Sequence, residues 1–595
     1  MDKRAKEVLK GIYCIEDSCN VYAVKNGDCA LVVDFGTGLV MDALKELGIS
    51  RVEAVLLTHH HRDQAEGIRR AREAGIPIFV PETERGLVAE ASEMWQAREI
   101  YNNYNDRQDR FSILESVEAA PLPDYGRMRF GKIEAFVLPT PGHTTGSVSI
   151  LVETEEGTAA FTGDLIYAPG KVWSLAATQW SYNGGEGIPY TILSLLDLKK
   201  RGVRWFLPSH GSGMEAEEAV EPTVERLTRL KDLRRQNPRL FSLREQPYEK
   251  ISEHVLFNRT SMANSYVLLS ESGKALVIDF GYDFMAGVAS GTDRSARRPW
   301  LYTVSALKEQ FGVTSIDACL PTHYHDDHVA GINLLRREYG TKVICPEGYA
   351  DLLEHPDRYD LPCLWYDPIP VDRRVKCGEP FRWEEYEITP FAMSGHTRYE
   401  AAFFFTADGQ KFLCTGDQYE GDGTLPNYVY KNLFSYEDFE ESAKLYRKLS
   451  PDWILSGHWP WIRPDEAFYD RLEETGRELQ KLHGELLPEE NPCEDFQLRI
   501  QPYQVEVACG GKLSVQVHLT APKRESAGLE LILPEGFSCA EPVRMLQKGE
   551  ESCTFSIEAP DRPVRRARIG CRMKAGDKLF GTQAEMLVTV KEEMR

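Results

Sequence analysis

Histidine and aspartate cluster in two short motifs of this chain. The first reads THHHRDQ and spans residues 58–64, and the second reads THYHDDH and spans residues 322–328. In the second motif four ligand-type side chains fall within six residues, a spacing that would place them on different faces of a regular helix. We therefore expect an irregular loop that turns them toward one point. Neutral imidazoles and carboxylates are good ligands for zinc and other first-row metals, so the motif predicts a metal site.

Further histidines and aspartates follow each motif in the same order. A G-H-T, a T-G-D and a final serine-linked histidine recur in both halves, and 21 residues separate His143 from Asp164 as well as His396 from Asp417. Core packing would not select imidazole at so many corresponding positions. Nine of the 14 histidines occupy them, namely His59, His61, His143, His210, His323, His325, His328, His396 and His458.

These motifs belong to an internal tandem duplication, here called copy one and copy two. Five sequence blocks recur in the same order, and each copy spans roughly 240 residues. Copy two carries an extra segment at 283–300, rich in glycine, serine and arginine, which predicts a loop. Copy one instead has the longer connection between its histidine motif and its G-H-T.

Strands and helices alternate around the motifs. Residues 53–58 and 317–322 predict buried strands, and residues 66–75 and 330–340 predict helices that end at glycine. This alternation favours an α/β layered domain in each copy. After residue 490, short alternating runs separated by turn signals are typical of an antiparallel β-sandwich. The predicted domains are residues 1–240, 241–490 and 491–595.

Composition excludes several classes of partner. The chain has 595 residues and a formal net charge of -22, and the acidic excess lies in the two copies because residues 491–595 hold equal numbers of acidic and basic residues. Such a charge is repelled by nucleic acids and anionic membranes. No apolar run reaches the roughly 18 residues of a membrane span, and the N-terminus lacks a signal-peptide core. With 13 cysteines and no C-x-x-C pair, we expect a cytoplasmic protein.

The ordered set H-x-H-x-D-H, G-H-T, T-G-D and S-G-H resembles the metallo-β-lactamase superfamily, in the branch typified by glyoxalase II. The resemblance covers roughly residues 10–235 and 250–485 and implies two αββα sandwiches, each with a two-metal site at one edge. The C-terminal sandwich separately resembles an Ig-like accessory domain. By position the superfamily resemblance assigns the first metal of copy two to His323, His325 and His396. It assigns the second metal to Asp327, His328 and His458, with Asp417 bridging.

Copy one departs from this pattern at one ligand. The resemblance assigns its first metal to His59, His61, His143 and Asp164, and its second to Asp63, His210 and the bridging Asp164. Gln64 stands where the family has histidine, and a neutral amide oxygen is a weaker donor than imidazole. We therefore expect one or two zinc ions in copy one and two in copy two, with iron or manganese as alternatives. His60 occupies a variable motif position and is expected to point away, although substitution for the missing ligand stays open.

The resemblance implies hydrolysis by metal-activated water on a small ester, thioester or lactone, with copy two as the main centre. Asp327 and Asp63 are expected to orient the water, and Tyr430 is near enough in sequence to Asp417 to assist the oxyanion or leaving group, as are Tyr428 and Lys431. One alternative is an iron-dependent oxidoreductase similar to persulfide dioxygenases. Another makes copy one a non-catalytic binding or scaffold module.

Candidate substrate-binding residues lie in the loops, and each has a second interpretation. Trp95, Tyr101, Tyr104 and Phe111 form either an aromatic lid over copy one or a helix packed on its body. The arginines of the extra segment, Arg294, Arg297 and Arg298, either meet an anionic substrate or belong to a solvated loop. The C-terminal sandwich carries no catalytic set and is expected to mediate homo-oligomerisation or to bind a partner.

Overall fold

The computed structural model of the chain describes residues 5–98, 111–180, 187–234, 237–285, 294–425, 429–487, 496–520, 526–576 and 578–592. The chain divides into two compact units. Unit 1 comprises Met1–Pro247, Arg259–Ser261 and Tyr282–Gln310, and unit 2 comprises Tyr248–Asn258, Met262–Gly281 and Phe311–Arg595. Copy one therefore shares a unit with the extra segment that interrupts copy two. The three-domain division at residues 240 and 490 stays a prediction.

Copy one consists of two sheets. The first has seven strands in sequence order, β1 (Ala5–Leu9), β2 (Ile12–Glu16), β3 (Asn20–Asn26), β4 (Cys29–Val33), β5 (Arg51–Leu56), β6 (Ile78–Pro81) and β7 (Ala120–Leu122). The second has the order β13-β12-β11-β10-β9-β8, with β8 (Arg127–Phe130), β9 (Ile133–Pro139), β10 (Val148–Thr154), β11 (Gly157–Gly163), β12 (Trp205–Pro208) and β13 (Met214–Glu215).

Helices cover the outer faces of these sheets. A core with Leu31, Leu56 and Ile150 contains residues from both sheets, and a second core joins the other face of the first sheet to helix residues such as Ile68 and Val88. This gives the predicted αββα layering. The helices are α1 (Val40–Ala43), α2 (Arg62–Ala65), α3 (Ile68–Glu73), α4 (Arg85–Ala89), α5 (Ala91–Ala97), α6 (Gly187–Lys200), α7 (Ala216–Leu233) and α8 (Leu240–Glu245).

Copy two repeats this topology. Its first sheet runs in sequence order through β14 (Tyr248–Lys250), β15 (Val255–Asn258), β16 (Ser265–Leu269), β17 (Lys274–Ile278), β18 (Ser315–Leu320), β19 (Lys342–Pro346) and β20 (Arg373–Val375). Its second runs through β21 (Phe381–Trp383), β22 (Tyr386–Ala392), β23 (Ala401–Ala407), β24 (Gln410–Gly416) and β25 (Trp453–Ser456). The helices are α9 (Val304–Phe311), α10 (Asp326–Val329), α11 (Ile332–Tyr339), α12 (Glu347–Glu354), α13 (Asp438–Leu449) and α14 (Glu466–Leu486).

The predicted helices after the histidine motifs are present, but each begins just after a glycine and is preceded by a one-turn helix. In copy one the glycine is Gly67, where a Cβ atom would lie 2.2 Å from the Thr37 backbone. In copy two it is Gly331, where a Cβ would lie 2.6 Å from the Gly281 carbonyl oxygen. Glycine therefore lets the chain between the two helices pass directly against the loop after β4 or β17. The expected irregular loop is partly wrong, because Asp327 and His328 lie within α10.

The C-terminal region is all-β, as its alternating sequence predicts. One sheet has the order β26-β28-β32-β30 and the other β27-β34-β33-β29-β31. A single core joins them and includes Val515, Leu529 and Phe555. The strands are β26 (Leu498–Gln501), β27 (Gln504–Ala508), β28 (Lys512–Leu519), β29 (Ala527–Ile532), β30 (Ser538–Cys539), β31 (Val543–Leu546), β32 (Ser552–Glu558), β33 (Val564–Ala575) and β34 (Lys578–Lys591). Among the described residues, no helix is long and apolar enough to span a membrane.

The extra segment at 283–300 corrects one sequence expectation. Arg298 is neither solvated nor placed to meet a substrate, because its side chain is only 6% exposed and forms a fork with Asp124 at 2.7 and 2.6 Å. Its remaining nitrogen donates to the carbonyl oxygens of Thr145 and Ser147 at 2.9 and 3.0 Å. Arg298 therefore braces the chain that follows His143. Arg297 lies over the Tyr282 ring.

We predict that Arg298→Met destabilises the β9–β10 connection by about 3–5 kcal/mol, because the change breaks the buried ion pair with Asp124 by removing one partner. Hydrogen–deuterium exchange of peptides from residues 133–154 in the full chain measures this effect. Arg72→Met, which removes an exposed pair with Glu118, is the control and should change exchange little. Combining Arg298→Met with Asp124→Leu should restore most of the protection. Equal exchange in the Arg298 and Arg72 variants would contradict the bracing role.

Candidate metal centres

The ligand residues of copy two all follow strands at one edge of the sandwich. His323 and His325 come directly after β18, and His396 lies in the connection between β22 and β23. Asp417 follows the last residue of β24, and His458 lies two residues beyond β25. The irregular connections at these strand ends allow the side chains to converge, because no regular ladder fixes their direction.

These side chains form two adjoining groups. One ligand atom from each of His323, His325, His396 and Asp417 lies within 4.8 Å of the others, and the same holds for Asp327, His328 and His458. Asp417 contacts both groups. Its carboxylate oxygens are 3.6 Å from His396 Nε2, 3.3 Å from His328 Nε2 and 3.2 Å from His458 Nε2. Asp417 therefore has the position that a carboxylate shared by two metals requires.

The protonation states of copy two suit metal binding. Burial, reinforced by neighbouring imidazoles, lowers the pKa of His323, and burial lowers that of His325 to about 3, so both rings are neutral. Burial alone would raise the pKa of Asp417, but His328 and His458 outweigh it and hold it well below its ordinary value. Burial would also lower the pKa of His458, but Asp417 and Asp327 raise it to about 10. His458 therefore carries a proton whose positive charge balances the two carboxylates. A bound divalent cation would take over that role and displace the proton.

Buried ring nitrogens provide an independent test of whether a metal fits. Nε2 of His323, Nε2 of His328 and Oδ1 of Asp417 are buried and have no hydrogen-bond partner within the described part of the chain. Polar atoms that are buried without a partner cost about 1–3 kcal/mol each. Unsatisfied imidazole nitrogens together with an unsatisfied carboxylate oxygen form a donor set of the type that zinc prefers. The residues present therefore fit a divalent metal.

Asp279 supports this site without belonging to either ligand group. It follows β17 with a left-handed φ of 57° and is buried. Its carboxylate accepts hydrogen bonds from the backbone N–H and hydroxyl of Thr322 at 2.6 and 2.7 Å, and lies 2.8 Å from His328 Nδ1. A carboxylate bound to one ring nitrogen fixes the ring so that the other nitrogen faces a metal. Sequence reasoning missed this role, although the repeated ALV-x-DFG block in both copies was an available signal.

Copy one brings its predicted ligands together in the same way. His59, His61 and His143 form one group, and Asp63, Asp164 and His210 form the other. Asp164 again lies between them, with its carboxylate oxygens 3.5 Å from His143 Nε2 and 2.7 Å from His210 Nδ1. Burial lowers the pKa of His59, whose Nε2 has no hydrogen-bond partner among the described residues.

Gln64 lies at the second group of copy one and is hydrogen-bonded to its acids. The side-chain amide donates to Asp164 Oδ2 at 3.1 Å, and the carbonyl oxygen Oε1 is buried without a hydrogen-bond partner in the described chain. Ser209 occupies the position of Gly457, and its hydroxyl donates to Asp34 Oδ2 at 2.5 Å. Asp34 is the counterpart of Asp279, so serine supplies the hydrogen bond that His328 makes in copy two.

Copy one differs from copy two by glutamine at the position of His328 and by serine at the position of Gly457, and these two differences depend on each other. In copy two, a Cβ atom on Gly457 would lie 1.9 Å from Asp417 Oδ1 and 2.9 Å from His328 Cε1. A serine there is compatible with the fold only when the neighbouring ligands are rearranged, as they are in copy one. The second group of copy one is therefore a different hydrogen-bonded arrangement rather than the copy-two site with one ligand removed.

The remaining predicted site residues are placed as follows. His60 is buried with its Nδ1 3.1 Å from Glu84 Oε2. The Phe111 ring packs on His61, and Trp173, which the sequence did not single out, stacks on His210 at 3.9 Å between ring centroids. Trp95 Nε1 donates to the Ile113 carbonyl oxygen. The Tyr430 hydroxyl is 2.9 Å from His483 Nε2, and its catalytic role stays a prediction, whereas Tyr101, Tyr104 and Tyr428 lie outside the described residues.

Comparison with known proteins identifies the family. The family model of the metallo-beta-lactamase superfamily matches residues 14–232 and 259–458, which together make up more than half of the chain. The chain belongs to this superfamily, whose members are metal-dependent hydrolases, and the two matched segments contain the two sets of ligands described above.

Individual relatives are distant. Hydroxyacylglutathione hydrolases of Brucella ovis and Brucella abortus are 28% identical over 130 residues, which is 21% of this chain and 44% of each relative. The chain thus spans less than half the length of these curated relatives. Among solved structures, a motif mutant of a metallo-beta-lactamase from Cronobacter sakazakii is 19% identical, with a TM-score of 0.31 over 41% of this chain and 100% of that one. The metallo-beta-lactamase GOB-18 from Elizabethkingia meningoseptica is 15% identical, with a TM-score of 0.31 over 40% and 92% of the two chains.

We predict that Gln64→His combined with Ser209→Gly adds one metal equivalent to the full chain, because together they recreate the copy-two arrangement. Gln64→His alone should add less than half an equivalent, since Ser209 still occupies the space beside the new ring. Elemental analysis after gel filtration measures the metal per chain. The reciprocal change, His328→Gln, serves as the matched comparison and should remove one equivalent. A full extra equivalent in the single Gln64 variant would contradict the coupling.

Proposed function

We propose that this protein is a hydrolase of small esters, thioesters or lactones, with copy two as its main centre. The observation that carries the proposal is the position of Asp417 between two complete groups of ligands in copy two. In copy one, the corresponding carboxylate, Asp164, accepts a hydrogen bond from the Gln64 side-chain amide. A pair of bound divalent metals supplies Lewis acidity toward a carbonyl oxygen and activates a water molecule for attack.

The residues of copy two divide the remaining tasks. The first ligand group supplies neutral imidazoles as donors for one metal, from His323, His325 and His396. In the second ligand group, the Asp327 carboxylate lies 3.1 Å from Nε2 of His458. We assign to Asp327 the orientation of the attacking water and the transfer of its proton, because a carboxylate at this position can accept one. Asp279 keeps His328 in the orientation that ligation needs.

Substitution of copy-two residues tests the main centre. We predict that His325→Ala and Asp327→Ala each lower kcat/KM for thioester and ester probes by at least about a hundredfold, because the first removes a ligand and the second removes a ligand that also accepts the proton of the attacking water. Initial rates with a phenyl thioacetate probe measure this. Normal rates in either variant, with metal content confirmed, would contradict the assignment of the centre.

A second proposal concerns the role of copy one. Two observations distinguish its site from that of copy two, namely the hydrogen bond between Gln64 and Asp164 and the stacking of Trp173 on His210. We propose that copy one binds a ligand or supports copy two rather than carrying most of the turnover. The variant His61→Ala is the matched counterpart of His325→Ala. It should retain most of the hydrolysis that the copy-two variant loses, and an equal loss in both variants would make the two centres equivalent catalysts.

Metal identity separates hydrolysis from redox chemistry. Imidazole with carboxylate suits zinc, and we propose two zinc ions in copy two and one in copy one. We predict that elemental analysis of the purified chain gives zinc as the main metal, and that a chelator removes hydrolytic activity, which added zinc restores. Iron near one equivalent per copy, together with oxygen consumption on a persulfide substrate, would instead support the oxidoreductase alternative.

A further inference from the structure

Asn432 lies beside the copy-two centre without belonging to either ligand group. It is the last residue of a short helical turn, Tyr430–Asn432, in the connection between β24 and α13. Its side chain is fully buried. A buried amide has both donors and acceptors to satisfy, so its contacts show which parts of the chain it joins.

The Asn432 amide contacts both segments that supply the first ligand group. Its Nδ2 donates to the His396 carbonyl oxygen at 3.1 Å, and its Oδ1 accepts from the Tyr324 hydroxyl at 2.9 Å. Because a carbonyl oxygen can only accept a hydrogen bond, the amide nitrogen must face His396, which leaves the amide oxygen for Tyr324. The Asn432 backbone carbonyl also accepts from the Arg398 N–H at 3.1 Å. One asparagine therefore holds the connection that carries His396 at two points.

Tyr324 stands between two ligands of the first group. His323 and His325 flank it in the sequence, and its buried ring packs edge-on against the His325 ring with 4.7 Å between centroids. His325 Nδ1 lies in turn 3.1 Å from His396 Nε2. The hydrogen bonds that run from Tyr324 through Asn432 to His396 are here called the Asn432 bridge. This bridge joins the backbone of the first two ligands to the backbone of the third.

Contacts with other parts of copy two fix the turn that carries the bridge. The Tyr430 hydroxyl lies 2.9 Å from His483 Nε2 on α14, and Lys431 Nζ donates to Asp360 at 2.6 Å. The chain leaves the turn through Leu433 in a left-handed conformation with φ of 64°, which a non-glycine residue adopts only where its surroundings hold it. The position of the asparagine is thus determined by more than the ligand loops themselves.

Copy one makes the same connection with a different side chain. His60 stands between its two motif histidines, and the His60 backbone N–H donates to Glu84 Oε2 at 3.1 Å. Glu84 Oε1 accepts from the N–H of Gly146, three residues after His143, at 3.0 Å. Glu84 is the third residue after β6, whereas the third residue after β19 is Tyr349, whose hydroxyl donates to a backbone carbonyl instead. Both copies therefore tie the residue between two ligands to the connection that carries the third.

We propose that Asn432 positions the first ligand group of copy two by fixing His396 relative to the two histidines on either side of Tyr324. The inference rests on the metal binding proposed above, and it assigns Asn432 no contact with metal or substrate. Ligands that are held in place before a metal binds lose less conformational freedom on binding, and residues that orient ligands support metal affinity for this reason. Removal of the bridge should therefore weaken mainly the metal held by the first group.

Competition with a chromophoric zinc chelator tests the positioning role in the full chain. The background carries His59→Ala and His61→Ala, so that the titration reports on copy two, and His396→Ala identifies the binding step of the first group. Asn432→Ala should weaken zinc binding at that step by about 10–100-fold and leave the other step nearly unchanged. Asn333→Ala, which removes an exposed amide-to-carbonyl bond in copy two, is the matched control and should alter neither step. Equal weakening of both steps, or no weakening, would overturn the proposal.

Tyr324→Phe tests the bridge without removing the asparagine. It deletes only the hydroxyl that donates to Asn432 and should weaken the same step by about fivefold, the effect of one hydrogen bond. In the double variant with Asn432→Ala, the loss should be no larger than in Asn432→Ala alone, because both changes break one bridge. Fully additive losses, or an unchanged affinity in Tyr324→Phe, would overturn the proposal. The tyrosine variant also decides the question if Asn432→Ala does not fold.

Hydrogen–deuterium exchange of the metal-free chain separates this proposal from the proposed function. Peptides from residues 393–400 should exchange faster in Asn432→Ala than in the wild type or in Asn333→Ala, because the His396 connection loses its bridge. Equal exchange in the three proteins would overturn the positioning role. If the wild-type chain binds no metal in copy two, the proposed function fails, whereas the exchange rates still decide whether Asn432 holds this connection.

Discussion

The copy-two centre depends on the buried carboxylate of Asp279, which joins both ends of the histidine motif. It holds Thr322, just before the first ligand, through two hydrogen bonds, and it holds His328, the last ligand of the motif, through a third. To reach both, the aspartate adopts a left-handed backbone that costs about 1–2 kcal/mol in an L-residue. The close passage of Gly331 against the loop after β17 keeps α10 and α11 beside this aspartate. One hydrogen-bonded acid therefore couples the end of a strand to the direction of a ligand ring.

The counterpart of Asp279 in copy one, Asp34, shows how the two copies have diverged. In copy one Asp34 keeps the left-handed φ of 57°, the buried position and the bonds to Thr58, but its remaining contact goes to a serine on another strand end. Burial raises the pKa of Asp34 to about 7. Copy one has Gln64 in place of His328, and Ser209 donates the hydrogen bond to Asp34 that the histidine would otherwise make. Without such a donor, the buried carboxylate would be left unsatisfied, which is energetically costly. The duplication has preserved the framework of the site while changing what its second group can hold.

Much of this arrangement could be predicted from the sequence, because the ligand types, their order and their spacing recur in two copies. The strands before each motif and the all-β character of the C-terminal region were predictable from apolar periodicity. The roles of Asp34 and Asp279 were not, because an aspartate at a strand end has the same local pattern whether it caps a turn or orients a ligand. The buried position of Arg298 was not predictable, because composition alone does not reveal that its partner, Asp124, lies in the other copy.

The buried pair of Arg298 and Asp124 has a consequence for the order of synthesis. Copy one ends well before residue 298, so its chain leaves the ribosome before the arginine that forms the buried ion pair with Asp124. Unit 1 is complete only when the segment up to Gln310 has been synthesised, by which time part of copy two has also emerged. The two halves of this duplication are therefore no longer interchangeable modules. A recombination event that separated them near residue 240 would deprive the first half of its buried ion pair between Asp124 and Arg298.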